Sequence, residues 1–197
     1  MESALVKSLG NTYKVLPEFI SADTIEKIKT SFFDSLAVGD SSFGVITPEN
    51  HDCVQNAVGI YMHSMSAITL CNKASTVSEI TGRDCLPSYC YTRLTKTGGT
   101  LNSHRDRPSC EITVSVHISG DKPWYLSIEN IEGSMDDILL GPGDAVIMDG
   151  CNHEHIRLGK YEGTDYLQMC LHYIFIDGDS KEWVFDSAAL SEMRSLI

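Results

Sequence analysis

The sequence predicts a mainly β chain with N-terminal helices, and three features carry that prediction. From Leu86 onward, apolar and polar residues alternate with period two, the side-chain period of a half-buried strand. The alternating runs are short and are separated by Gly, Asn, Asp and Pro at turn-like intervals. Before residue 86 the longer segments carry apolar residues at helical spacing instead. Six or more strands so spaced make an antiparallel sandwich or barrel, with the helices packed on one face.

The elements follow in order. "YKVLPEFI" is a short extended piece, after which Ser21 caps a helix running from Ala22 to about Leu36. Ile25, Ile28, Phe32 and Leu36 form its apolar stripe. "VGDSSFGVITPENHDC" is polar and turn-rich, and "VQNAVGIYMHSMSAITLCNKASTVSEITG" reads as one long or two shorter helices ending at Gly82. Met62 and Met65 are packing residues in that reading. "PSYCYTRLT" is a strand, "KTGGTLN" a turn, "EITVSVHIS" a strand, "GDKP" a turn and "WYLSIEN" a strand. "GPGD" turns the chain into "AVIMD", and "HEHIRL" and "YLQMCLHYIFI" complete the series. With no internal repeat, the chain reads as one domain: 1–85 largely helical support, 86–178 the β core, 179–197 a C-terminal tail.

Charge narrows the function. Against 15 basic residues stand 27 acidic ones, a net −12, which repels phosphate backbones and argues against nucleic acid as the partner. The seven cysteines include no C-x-x-C pair, so reduced thiols are expected rather than a disulfide framework or zinc ribbon. "MESALVKSLG" has no apolar signal core, and no run reaches the ~18 apolar residues of a membrane span. A soluble, cytoplasmic chain with no membrane partner is the expectation.

The chemistry concentrates in "LNSHRDRPSCEITVSVHIS". His104 and Asp106, two residues apart, share a face if extended and can offer an imidazole nitrogen and a carboxylate oxygen to one ion. "MDGCNHEHIRLG" supplies His153 and His155 as further ligands. Two histidines and a carboxylate with open positions make the ligand set of non-haem iron(II) oxygenases. The same atoms also suit a zinc hydrolase, or histidines that are simply hydrogen-bonded.

The run "YCYTRLTKTGGTLNSHRDRPSCEITVSVHIS", with "LLGPGDAVIMDGCNHEHIR" and "YLQMCLHYIF", resembles the 2-oxoglutarate- and iron(II)-dependent dioxygenases, nearest their prolyl-4-hydroxylase-like branch. The shared pattern is R-x-x-x-x-G-x-x-L-x-x-H-x-D-R-P, then a G-D strand, then H-x-R; it covers residues 86–176. The resemblance implies a double-stranded β-helix, or jelly roll, and an enzyme using Fe(II), 2-oxoglutarate and O2 to hydroxylate a C–H bond. It assigns the metal to His104, Asp106 and His155, the last preferred to His153 because it precedes Ile156–Arg157. Asp106, where the family's halogenases lack a carboxylate, points to hydroxylation.

The co-substrate site departs from the pattern. Relatives place a cation about ten residues past the second histidine; here that residue is Asp165, and "EGTDYLQ" has no cation. A dicarboxylate needs a fixed partner. Arg157, on the face of His155, is the first candidate; Arg93, with Tyr91 and Tyr89 on its strand, is the second. Thr95 stands where relatives place a carboxylate-binding tyrosine. Arg107 and Pro108 fix the loop leaving the metal site, and Arg107 is within reach of a substrate carboxylate. Trp124 and Tyr125 read as core aromatics with a substrate pocket as the alternative, His117 and His172 as hydrogen-bonded core or lumen residues, and Asp144 as a turn residue. The resemblance implies a prolyl residue of a peptide or protein as substrate, with a free amino acid or other small molecule as the alternative. The competing readings are a non-catalytic jelly-roll module with a vestigial metal site, and a zinc hydrolase.

Overall fold

A computed structural model of the chain describes residues 3–39 and 44–186. Three helices, α1 (Ala4–Leu9), α2 (Ala22–Val38) and α3 (Ser64–Thr81), pack outside an all-antiparallel system of ten strands. The strands are β1 (Tyr13–Leu16), β2 (Val45–Glu49), β3 (Val54–Tyr61), β4 (Cys85–His104), β5 (Ile112–Gly120), β6 (Leu126–Glu129), β7 (Met135–Ile138), β8 (Ala145–Met148), β9 (His155–Arg157) and β10 (Asp165–Phe175).

Their order, β1-β8-β5-β10-β4-β9-β6-β7, wraps the chain into two facing layers that share one long strand. The first half of β4 pairs with β10, and beyond it lie β5, β8 and β1. The far end of β4 pairs with β9, followed by β6 and β7. This is a jelly roll, with the β2–β3 hairpin added to the free edge of β4.

Period-two alternation decides which residues face the barrel interior. Ile112, Val114, Val116 and Ile118 of β5, with Leu167, Met169, Leu171 and Tyr173 of β10, are fully buried in the main core beneath the helices. The opposite parity, Thr113, Ser115, His117, Gln168, Cys170 and His172, forms the polar inner face. The main core also takes the α2 stripe: Ile25, Ile28 and Phe32 are buried, whereas Leu36 is only partly so. Ser21 caps α2 by accepting from the Thr24 amide, and Gly39 ends it at φ 65.

The expected helix over 54–82 divides. Its first part is the strand β3, and only Ser64–Thr81 is helical. Val54–Tyr61 is rich in β-branched and aromatic residues, and it lies between β2 and β4 with Val54 and Ile60 buried. Gly59 is required there, because a Cβ would sit 1.9 Å from the Tyr91 hydroxyl. The segment read as turn-rich holds β2, whose Pro48 is tolerated on an edge strand; residues 40–43 of that segment lie outside the described residues. "KTGGTLN" does not end its strand: β4 continues through it, and the β3 register jumps from Ala57↔Thr95 to Gln55↔Thr100. Gly98, at φ 80, and Gly99 close that bulge on the backbone of Tyr161. Trp124 and Tyr125 precede β6 rather than opening it, and β7 arises where no strand was expected. Residues 1–85 thus hold three strands besides the helices, and of the C-terminal tail 187–197 lie outside the described residues. No helix among the described residues is long and apolar enough to cross a membrane.

Candidate metal centre

The β4–β9 ladder sets the site. His104 and His155 are Cα partners across it, and their ring centroids lie 4.2 Å apart. His104 ends β4, so Asp106 belongs to the following loop and its strand parity does not place it. Its own amide does, by donating to the Gly150 carbonyl at 2.8 Å. Oδ2 of Asp106 accepts from Thr113 Oγ1 at 2.8 Å, which leaves Oδ1 facing the imidazoles, 3.8 Å from His104 Nε2 and 3.6 Å from His155 Nε2. All three ligand-type atoms lie within 4.8 Å of one another.

The tautomers follow from the acceptors. His104 Nδ1 donates to the Asn102 carbonyl at 2.8 Å, and His155 Nδ1 to the His153 carbonyl at 3.3 Å. A carbonyl only accepts, so both protons sit on Nδ1 and both Nε2 lone pairs turn toward Asp106. Burial raises the Asp106 carboxyl, but the close approach of His155, the field of His172 and the hydrogen bond from Thr113 outweigh it and hold the group well below the usual carboxylate range. Burial, followed by the neighbouring His155, lowers the His104 imidazole. Gly150 closes the floor: a Cβ there would meet Asp106 Oδ2 at 2.3 Å and His155 Cε1 at 3.2 Å. His153 points elsewhere, its Nδ1 3.8 Å from Glu129.

A cavity of about 500 Å³ opens over these residues. On one side stacked rings form a wall, Tyr61 on Tyr89 at 5.4 Å and Tyr89 on His172 at 4.4 Å. Tyr91 and Arg93 also line it, but the Arg93 guanidinium is engaged by Glu49 at 2.6 and 2.9 Å. Burial and the Glu49 charge raise the Tyr91 hydroxyl. His172, expected from sequence to be a hydrogen-bonded core or lumen residue, lines the cavity with Nδ1 3.1 Å from Thr113 Oγ1; burial lowers it to about 4. It shares the inward parity of Gln168 and Cys170 on β10.

Arg157 lies two residues beyond His155 on β9, behind Gln168, and is 2% exposed. Its Nε and Nη2 donate to Gln168 Oε1 at 3.3 and 3.1 Å, and Nη1 to the Trp124 carbonyl at 2.5 Å. The guanidinium rests 5.0 and 4.5 Å from the ring centroids of Trp124 and Tyr166. None of these partners is a carboxylate, so among the described residues the charge is buried without a counter-ion. Beside it, His117 Nδ1 and Trp124 Nε1 are buried and have no hydrogen-bond partner among the described residues.

The sequence matches no protein-family profile and no curated protein. Solved structures do match. A Pseudomonas putida prolyl-4-hydroxylase superposes with a TM-score of 0.63 at 14% identity, covering 86% of this chain and 96% of that one. HygX from Streptomyces hygroscopicus, solved with nickel and 2-oxoglutarate bound, gives 0.64 at 9% identity over 85% and 84%. The α-ketoglutarate-dependent epimerase SnoN of nogalamycin biosynthesis gives 0.69 at 10% over 87% and 80%. The chain has their fold. At such identities the likeness ends there, and the chemistry rests on this chain's own residues.

Proposed function

We propose that the chain is an iron(II)- and 2-oxoglutarate-dependent oxygenase acting on a C–H bond of a small molecule or peptidyl group. The observation that carries this reading is the trio of His104, Asp106 and His155, with both Nδ1 protons anchored and both Nε2 atoms within 3.8 Å of Asp106 Oδ1. Two imidazoles and one carboxylate on one side of an ion suit iron(II) and leave positions for co-substrate and O2. When bound, the metal with 2-oxoglutarate and O2 supplies the oxidation, the keto acid leaving as succinate and CO2 and one oxygen atom entering the C–H bond.

Among the described residues Arg157 is a buried cation with no carboxylate partner, a charge that the co-substrate would neutralise. A divalent ion, the Asp106 carboxylate, the Arg157 guanidinium and a dicarboxylate sum to zero charge. Arg157 is the preferred partner of the distal carboxylate, reached through Gln168, which lines the cavity, whereas His117 and Trp124 line a neighbouring pocket. Arg93 with Tyr91 is the second candidate, and there the acid would have to displace Glu49.

The chain's residues would hold the metal through His104, Asp106 and His155, keep protons off the two Nε2 atoms and line the cavity with the Tyr61, Tyr89 and His172 rings. A zinc hydrolase could use the same three ligands, and the comparison of iron(II) with zinc separates the two readings. A vestigial module would gain nothing from the unneutralised guanidinium. SnoN is an epimerase, so the fold admits outcomes other than hydroxylation; Asp106 filling the third ligand position favours hydroxylation over halogenation. The test is succinate formation from 2-oxoglutarate by the protein reconstituted with iron(II) under air, compared with zinc.

A further inference from the structure

The cavity mouth carries an ionic arrangement that the metal trio and Arg157 leave unexplained. Arg107, next to Asp106, lines the cavity and lays its guanidinium over the Tyr89 ring, 4.5 Å from the centroid. Its Nη2 donates to Asp186 Oδ2 at 2.6 Å, and the same oxygen accepts from the Tyr61 hydroxyl at 2.8 Å. Asp186 is 0% exposed, yet its Oδ1 has no partner among the described residues. A carboxylate withdrawn from water with one oxygen unmatched is a costly arrangement. The backbone that delivers it is strained too: Phe185 and Asp186, neither of them glycine, sit at φ 50 and 44.

A guanidinium and a phenol donating to one carboxylate make a receptor for that group, and the chain fills it with a poorly satisfied residue of its own. We propose that Arg107 and Tyr61 bind the carboxylate of the substrate, that Asp186 is its intramolecular stand-in, and that the substrate is a small carboxylic acid of amino-acid size. The body of such a molecule would lie on the stacked Tyr61 and Tyr89 rings, which places its C–H bonds beside His104, Asp106 and His155. Size follows from volume. At about 500 Å³ the cavity is near the small end of ligand sites, which run from about 300 to 1,000 Å³, and it must also hold the co-substrate. The inference rests on the oxygenase reading for the chemistry at the C–H bond; the carboxylate receptor itself needs no metal.

The test is binding. The twenty free L-amino acids and their primary carboxamides are titrated calorimetrically into the protein, first without metal and then with Mn(II) and 2-oxoglutarate. At least one free acid should bind ten-fold or more tighter than its carboxamide. Arg107→Gln should weaken that acid at least ten-fold, Arg107→Lys should recover part of the loss, and Asp186→Asn, which weakens the stand-in, should tighten the acid three-fold or more. Equal binding of acids and amides by the wild-type protein, or binding of no acid under either condition, overturns the proposal without any variant having to fold. Loss of acid binding in Asp186→Asn, with its circular dichroism unchanged, overturns the stand-in role. Failure to bind Mn(II) or 2-oxoglutarate sinks the oxygenase reading instead, and leaves the comparison of acid with amide to stand on its own.

Discussion

His104 and His155 face each other across the β4–β9 ladder, and each fixes its Nδ1 proton on the backbone carbonyl two residues before it. The rings are therefore oriented before any ion arrives, and the ordering cost of a metal site is largely met by the sheet. His153, on the same short segment, turns to Glu129. His155→Ala should weaken Mn(II) binding by about 100-fold, whereas His153→Ala should change it less than three-fold, because that residue contributes its carbonyl rather than its ring. Calorimetric titration of both variants with Mn(II) decides the third ligand.

Gly150→Ala is the sharper perturbation of the same centre. Its Cβ would lie 2.3 Å from Asp106 Oδ2, so the carboxylate must rotate or move away from Thr113. Disturbing a group that orients a ligand typically costs 10–100-fold in affinity, and about 10-fold or more is expected here. Unchanged Mn(II) affinity in a folded Gly150→Ala protein would show that the Asp106 orientation is irrelevant to the metal.

The two arginines should separate by phenotype. Arg157→Ala removes the buried cation without a counter-ion and should raise the KM for 2-oxoglutarate at least ten-fold. Arg93→Ala should raise it less than three-fold but strand a buried Glu49, a loss of about 3–5 kcal/mol in stability. Steady-state kinetics beside thermal melts read both; the reverse ordering of KM values would move the distal carboxylate to Arg93.

What the sequence conveyed and what it hid have physical causes. The alternation in "EITVSVHIS" and "YLQMCLHYIFI" marked β5 and β10, because one face of each meets the helices and the other the barrel interior. His104, Asp106 and His155 were legible from spacing and family resemblance, and the structure brings them together. Val54–Tyr61 was not, since its apolar residues also fit a helical pattern and only pairing with β2 and β4 selects the strand. The Arg93–Glu49 pair and the Asp186 contact join residues 44 and 79 positions apart, distances over which local pattern carries no signal. Nor could sequence place Arg157 behind Gln168, which depends on β9 and β10 approaching from opposite layers.

Acid should destabilise the metal-free fold. Burial depresses both His117 and His172 to about 4, against an ordinary value near 6.5. The unfolded chain therefore binds more protons between pH 6.5 and 4. The stability these residues contribute is complete above about pH 6.5, falls as pH drops through that window, and changes no further below about 4. Between pH 7.5 and 5.5 each should contribute a loss of roughly 1 kcal/mol. His117→Phe should remove about half of the slope, and because its Nδ1 has no partner it should do so with little loss at pH 7.5. Urea titrations of both proteins at the two pH values provide the comparison; an unaltered slope in His117→Phe would assign the effect to other groups.

The central claim is tested most directly by succinate. Protein reconstituted anaerobically with iron(II), then given 2-oxoglutarate and O2, should form succinate and CO2 in equal amounts. Asp106→Ala should form none above the metal-only control while still melting cooperatively. Wild-type-like succinate formation by Asp106→Ala, or none by wild-type protein that has bound both iron(II) and 2-oxoglutarate, would contradict the account.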